Sequence, residues 1–268
     1  MASLKDLLNN KLKPEEIPKS FDIIGRIAIF SKLPSDIKKQ KLIAKSLLKL
    51  NKNIHTVLLK TNKISGLYRL PKYKYLVGLK TKETLHRENN CVFSLDVEKC
   101  YFSPRLSHER LRISKQVKNN EVILVMFSGI GVYPIVISKN SKPKSIEAVE
   151  INHVAVDYAL DNLKLNKVKN IKLFQGNVRK IVPKLKYKFD RVVMPAPKNA
   201  ENYLSLIKNK IKKKTIIHFY DFCNEKEFPD NVIKKIKKHF KKIKILRIVK
   251  CGNISPYNYR LCVDFQVK

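Results

Sequence analysis

Two glycines and a glutamate give the chain its first chemical signal. The stretch from Val122 to Gly131, VILVMFSGIG, is an apolar run that ends at Phe127, Gly129 and Gly131. It reads as a buried parallel strand entering a tight turn, with a helix-like segment following from Tyr133 to Lys139. In that context glycine lets the backbone approach a nucleotide-like ligand closely. Glu150 stands 21 residues after Gly129, at the end of a second strand-like run, SIEAVE. A carboxylate there is placed to accept hydrogen bonds from ribose hydroxyls. The pair points to a nucleoside cofactor.

The third glycine that a dinucleotide pyrophosphate favours is missing. A shorter turn leading to an acidic strand end suits S-adenosylmethionine at least as well. An ordinary α/β domain with a glycine turn and a surface glutamate would share the pattern.

The elements that must position these groups follow from periodicity. Strands are expected near 122–126, 145–150, 171–174, 190–194 and 215–220, and helices near 133–139, 152–165, 199–209 and 230–240. This alternation predicts a mostly parallel sheet covered by helices on both faces. The segments 244–250 and 259–267, joined through Gly252, Pro256 and Asn258, read as a hairpin-like pair whose last strand runs antiparallel at or near the sheet edge. The fold class is therefore α/β, a Rossmann-like sheet plan of the kind common among adenosylmethionine-dependent methyltransferases. Before it, FDIIGRIAIF at 21–30 reads as strand, glycine bend, strand; 37–50 has helical spacing; 57–60, 75–80 and 91–102 are further strand candidates. We expect a short N-terminal extension over 1–19, a small α+β RNA-binding domain over 20–112, and the Rossmann-like domain over 113–268.

Composition bounds the partner. The chain of 268 residues has 57 Lys and Arg against 22 Asp and Glu, a formal charge of +35. That excess exceeds what solubility requires and favours a polyanion, nucleic acid first; a lysine-rich proteome bias is the alternative source, and the two readings are compatible. The runs Lys212-Lys213-Lys214 and Lys237-Lys238 read as solvated faces. Five cysteines lack paired short spacings and six histidines are scattered, so neither a zinc site nor a disulfide framework is expected. A reducing, cytoplasmic compartment follows. No apolar run approaches the roughly 20 residues of a membrane span, and a monomer is expected.

More specific are the segments between and within the two halves. GLYRLP at 66–71, Gly78, HREN at 86–89, Asp96, YFSPRL at 101–106 and ERLRI at 109–113 precede MFSGIG at 126–131; EIN at 150–152, GNVR at 176–179, RVVM at 191–194 and IHFYDF at 217–222 follow. Over about residues 20–268 this series resembles the archaeal and eukaryotic tRNA (guanine-N1)-methyltransferases that act at position 37, beside the anticodon. The resemblance implies S-adenosylmethionine as cofactor, the anticodon region of tRNA as partner, and no metal. It also implies that Arg69 and Glu109 are catalytic, and that Tyr101, Arg105 and Arg110 line the junction of the two domains and touch cofactor or the nucleotide backbone. The cofactor would meet Phe127, Gly129, Gly131, Glu150, Asn177, Pro195 and Pro197. Guanine N1 carries a proton at neutral pH, so methylation there calls for a base and for a cation near O6. Without the resemblance, Arg69 would read as a phosphate contact and Glu109 as half of an intrahelical ion pair.

Three departures bear on recognition. Pro195 stands where the family has Asn, and lacks its side-chain amide and backbone donor. Asn177 replaces a common Asp, and Val125 an acid. The extra N-terminal domain of many members, which senses the tRNA outer corner, is expected to be missing. Methylation of carbon 7 of the tricyclic wyosine intermediate is a further expected activity. The alternatives are 3-amino-3-carboxypropyl transfer from the same cofactor and a non-catalytic basic RNA-binding protein.

Overall fold

The structure is a computed structural model that describes residues 3–62, 66–195 and 200–268. It divides into two compact units, residues 1–88 with 92–104, and 89–91 with 105–268. Among the described residues no helix is long and apolar enough to cross a membrane.

The smaller unit begins with α1 (Leu4–Leu8), closed by reciprocal Ser3 and Asp6 capping bonds. Strands β1 (Asp22–Ile24) and β2 (Ile27–Phe30) follow, then α2 (Ile37–Leu50), β3 (Thr56–Lys60) and β4 (Tyr73–Gly78). Together they form one sheet in the order β1-β2-β3-β4. Only β2 and β3 are parallel, because α2 is the crossover between them. Asp36 starts α2 by accepting hydrogen bonds from the amides of Lys38 and Lys39. The core joins Phe30, Ile43, Leu47 and Val57 to Leu8, Leu12 and Ile17. Residues before 20 are thus part of this unit's core rather than an extension.

A separate hairpin, β5 (Glu83–Glu88) and β6 (Cys91–Asp96), turns at Asn89 and Asn90, both left-handed with φ of 48° and 61°. Such a pair suits the twist of a two-residue hairpin. The polar run ETLHRE gives β5 little apolar alternation, which is why periodicity misses it. The expected strand over 91–102 stops at Asp96, whose Oδ1 accepts the amides of Glu98 and Lys99 and turns the chain.

The larger unit opens with α3 (Ser107–Ser114), so the division falls at 104/105 and not at the expected 112/113. The physical reason is burial: α3 sinks Glu109, Arg110 and Ile113 and packs on α4 (Val132–Asn140). Strand β7 (Val122–Met126) leads into α4; β8 (Ser145–Glu150), α5 (His153–Leu165), β9 (Ile171–Gln175), α6 (Val178–Ile181) and β10 (Phe189–Met194) follow. A 3-10 helix over Ala200–Lys210 precedes β11 (Ile211–Asn224), α7 (Asp230–His239), β12 (Ile243–Ser255) and β13 (Asn258–Val267). The sheet order is β12-β13-β11-β10-β7-β8-β9. Strands β7 to β11 are parallel to one another, and β13 runs antiparallel to both β11 and β12. The outer strand on that side is β12; the last strand lies inside, because Leu261 to Phe265 are buried on both faces. The order in which strands are added reverses between β7 and β10, with β8 and β9 on one side and β10 and β11 on the other, and open α/β sheets hold ligands at the carboxyl ends of strands flanking such a switch.

Candidate active site

At that reversal the chain leaves β7 through Phe127, Ser128, Gly129, Ile130 and Gly131. Gly129 and Gly131 have φ of 55° and 81°, and Phe127 is left-handed as well at 55°. At Gly131 a Cβ would lie 3.2 Å from Ile135 Cδ1 and 3.4 Å from Ala159 Cβ, so both conformation and packing require glycine. Glu150 ties the turn to β8: its Oε2 accepts the Gly129 amide at 2.8 Å, and its Oε1 accepts the amides of Ile151 and Asn152 at 2.9 and 2.8 Å. Burial pushes this carboxyl up despite the three amide bonds. A carboxylate offers about four lone-pair sites, so three amides leave room for a hydroxyl. Ser128 Oγ, buried in the same turn, is unpartnered, and a buried orphan of this kind fits a ligand's polar group.

Other expected contacts are arranged differently. The Asn177 side chain caps α6 by accepting the Arg179 amide at 2.9 Å. Arg179 lies over the Tyr203 ring at 4.8 Å, and Tyr203 meets Phe127 edge-on at 5.0 Å. Arg179 and Tyr203 thus join the turn without a sequence signal beyond the GNVR segment. Pro195 follows β10 at the reversal, half-buried. Pro197 lies outside the described residues.

A second polar cluster runs through the interior of the same unit. Glu109 is 5 % exposed. Its Oε2 accepts Arg112 Nε at 2.7 Å, while Oε1 accepts Arg112 Nη2 at 2.8 Å and the Tyr220 hydroxyl at 2.6 Å. The intrahelical pair is therefore real, and Arg112 is the partner. Arg112 also binds Asp264, to which Gln116 donates at 3.2 Å. Asp264 Oδ1 lies 2.7 Å from His218 Nδ1, and His218 Nε2 lies 2.6 Å from Arg191 Nη1. Arginine only donates, so His218 accepts through Nε2 and donates Nδ1–H to Asp264. Arg191, wholly buried, completes the chain with two bonds to Glu121 at 2.6 and 2.9 Å. Burial pushes His218 down, more than Asp264 restores; burial pushes Asp264 up, but His218 and Arg112 overcome this and hold it well below the usual carboxylate range.

His218, Cys262 and Asp264 place potential metal ligands within 4.8 Å of one another. Both imidazole nitrogens and the Asp264 carboxylate are occupied by protein partners, and two guanidiniums adjoin them, which is an ion-pair network rather than a cation cradle. All five cysteines are free thiols.

In the smaller unit, Arg69 is a left-handed non-glycine residue, φ 55°, and its guanidinium lies 5.8 Å from the centre of the Tyr101 ring. Tyr101 and Arg69 are thus neighbours, as are Glu109 and buried Arg110 on α3, whereas Arg105 belongs to the short 3-10 turn before that helix. Sequence reasoning assigned no role to Tyr220, Arg112, His218 or Asp264. The signal available was the polar residues that interrupt two otherwise apolar strands, IIHFYDF and LCVDFQV.

Comparison with known proteins bears on this geometry. Residues 84–249 match the TRM5/TYW2 methyltransferase domain, and residues 4–81 match the TYW2 N-terminal domain. The tRNA (guanine(37)-N(1))-methyltransferase Trm5b of Pyrococcus abyssi is 36% identical over 94% of this chain and 76% of its own length. The tRNA (guanine(37)-N(1))/4-demethylwyosine(37)-methyltransferase Taw22 of Nanoarchaeum equitans is 34% identical over 91% of this chain and 98% of its own. Among solved structures, an aTrm5 in complex with tRNALeu superposes with a TM-score of 0.88 at 28% identity, over 100% of this chain and 78% of that one. A glycine turn answered by Glu150, a sheet closed by an inserted antiparallel strand, and a match across both units lead to one assignment: the chain belongs to the TRM5/TYW2 methyltransferase family.

Proposed function

We propose that this protein methylates N1 of guanosine 37 in tRNA, with S-adenosylmethionine as methyl donor. The observation that carries the reading is Glu109, a buried carboxylate ringed by donors in a family whose relatives modify this nucleotide. The cofactor, when bound, supplies an electrophilic methyl group on a sulfonium. Glu109 takes the N1 proton as the N1–methyl bond forms and the sulfur–methyl bond breaks, with that bonding pair remaining on sulfur. N1 becomes acidic as it gains the methyl group, so an ordinary carboxylate suffices as base. Arg69 supplies the positive charge for O6, stacked on Tyr101. Arg105 and Arg110 meet cofactor or nucleotide backbone. Phe127, Gly129, Gly131, Glu150, Asn177, Pro195 and Pro197 form the cofactor's surroundings, with Glu150 reading the ribose. The excess of Lys and Arg serves tRNA binding.

A second activity, methylation of carbon 7 of 4-demethylwyosine at the same position, is supported by the dual name of Taw22. The test is incubation with unmodified phenylalanine tRNA and with tRNA carrying the tricyclic base. The cofactor is labelled separately in the methyl and carboxypropyl carbons, and nucleosides are analysed by mass. Methyl gain on guanosine 37, lost in Arg69→Ala and Glu109→Gln, is expected. Carboxypropyl transfer, or no transfer to either tRNA, overturns the reading.

A further inference from the structure

The hydroxyls of Tyr133 and Tyr220 are buried at the side of Glu109, with the rings 5 % and 2 % exposed. An ionised carboxylate only accepts hydrogen bonds, so Tyr220 must donate to Oε1. The Tyr220 oxygen is then left to accept, and it does so from Tyr133 at 3.1 Å. The result is a directed chain, Tyr133 to Tyr220 to Glu109, in which each bond polarises the next. Packing alone does not explain it. Phenylalanine would fill the same two places without the cost of taking hydroxyls out of water.

The chain also divides the work between the two carboxylate oxygens. Oε1 holds two strong donors, Arg112 Nη2 and Tyr220, whereas Oε2 holds one, Arg112 Nε. Oε2 therefore keeps the larger share of its lone pairs for an incoming N–H.

We propose that Tyr220, backed by Tyr133, is a positioning residue that occupies Oε1 of Glu109 and so presents Oε2 as the oxygen that receives the substrate proton. This rests on the reading of Glu109 as base. The groups facing Glu109 within its unit are Arg110 and Arg112 of α3, Tyr133 of α4, Tyr220 of β11, Cys251 of β12, and Cys262 and Asp264 of β13. Of these, Tyr220→Phe removes no charge; it takes one donor from Glu109 and the acceptor of the Tyr133 hydroxyl.

The experiment is single-turnover methyl transfer to tRNA against pH by wild type, Tyr220→Phe, Tyr133→Phe and Glu109→Gln, with thermal melting of each. Expected for Tyr220→Phe is a rate about tenfold lower, the size of one hydrogen bond to a charged group. Its affinities for tRNA and cofactor stay unchanged. The acid limb of its profile moves to higher pH, because a carboxylate that loses a donor holds its proton more tightly. Tyr133→Phe should move both readouts the same way by less. Wild-type rate and acid limb in Tyr220→Phe, beside an inactive Glu109→Gln, overturn the positioning role while leaving the base intact. An active Glu109→Gln removes the base assignment itself, and the proposal with it.

Discussion

Glu109 and Glu150 are both carboxylates set into the larger unit, and they are held in opposite ways. Glu150 is gripped by three backbone amides from its own strand end and the facing turn. Glu109 is gripped by side chains, a guanidinium and a phenol. Backbone amides carry no net charge and stay where the strands put them, so Glu150 keeps a fixed geometry suited to reading neutral hydroxyls. Side-chain partners bring a charge and rotamer freedom, so the electrostatics of Glu109 can follow a proton that comes and goes. The carboxylate proposed for binding is built into the main chain. The one proposed for proton transfer is suspended among side chains.

The largest expected effect is on chemistry. Glu109→Gln should lower the methyl-transfer rate by about 100- to 10,000-fold, the usual worth of a general base, with cofactor affinity by calorimetry unchanged; comparable loss of affinity would erase the distinction. Arg112→Met comes next, because it strands Glu109 and Asp264 together in the interior. Breaking a buried pair costs about 3–5 kcal/mol, which a shift in denaturant midpoint would report. For Glu150→Gln the expected change is one of binding. A Gln amide must point a donor at a backbone N–H, so cofactor affinity should drop by roughly tenfold, with the rate at saturating cofactor close to wild type. If instead the saturated rate collapses, Glu150 does more than hold the ligand.

The smallest effect concerns pH and stability. His218 is held below its ordinary 6.5 by burial, so the unfolded chain takes up a proton that the folded one refuses. Stability from this source is present above about pH 6.5 and lost as pH falls below it. Asp264, depressed in the fold, adds a second loss below about pH 4. Glu150, raised by burial, works the other way: its contribution is present below the ordinary carboxyl value and lost as pH rises through its folded value. Melting temperature should therefore fall between pH 7 and 5, and His218→Gln should flatten that step while retaining the one below it.

The two carboxylates also differ in how they could be read from sequence. Glu150 follows a strand pattern and answers a glycine turn 21 residues away, all within one β-α-β unit, so local periodicity finds it. Glu109 lies in a helix whose local pattern suggests only an ion pair, and its role came from resemblance. Its partners stand 111 residues on, at Tyr220, and, through Arg112, 152 residues on, at Asp264. Charge pairing at such separations leaves no periodic trace. The place of β13 is different: it is antiparallel and second from the sheet edge, as its expected position at or near that edge allows. Its hairpin with β12 is legible from the turn residues, but which strand goes inside is decided by burial: Leu261 to Phe265 are covered on both faces, while β12 is half-exposed along most of its length. The division of the units lies before α3 for a related reason: the sequence of this helix looks like a basic connector, whereas Ile113 and Glu109 are buried.

Asp264 lies on the last strand, yet it neutralises an arginine on the first helix of its unit. A ribosome adding about 5–20 residues per second needs roughly 8–30 seconds to travel from one to the other. Throughout that interval the helix bearing the proposed base has no counter-ion from β13, and the sheet lacks the strand that sits between β11 and β12. A nascent or prematurely ended chain is thus expected to be silent rather than partly active. Synthesis of β13 is the event on which the proposed base depends.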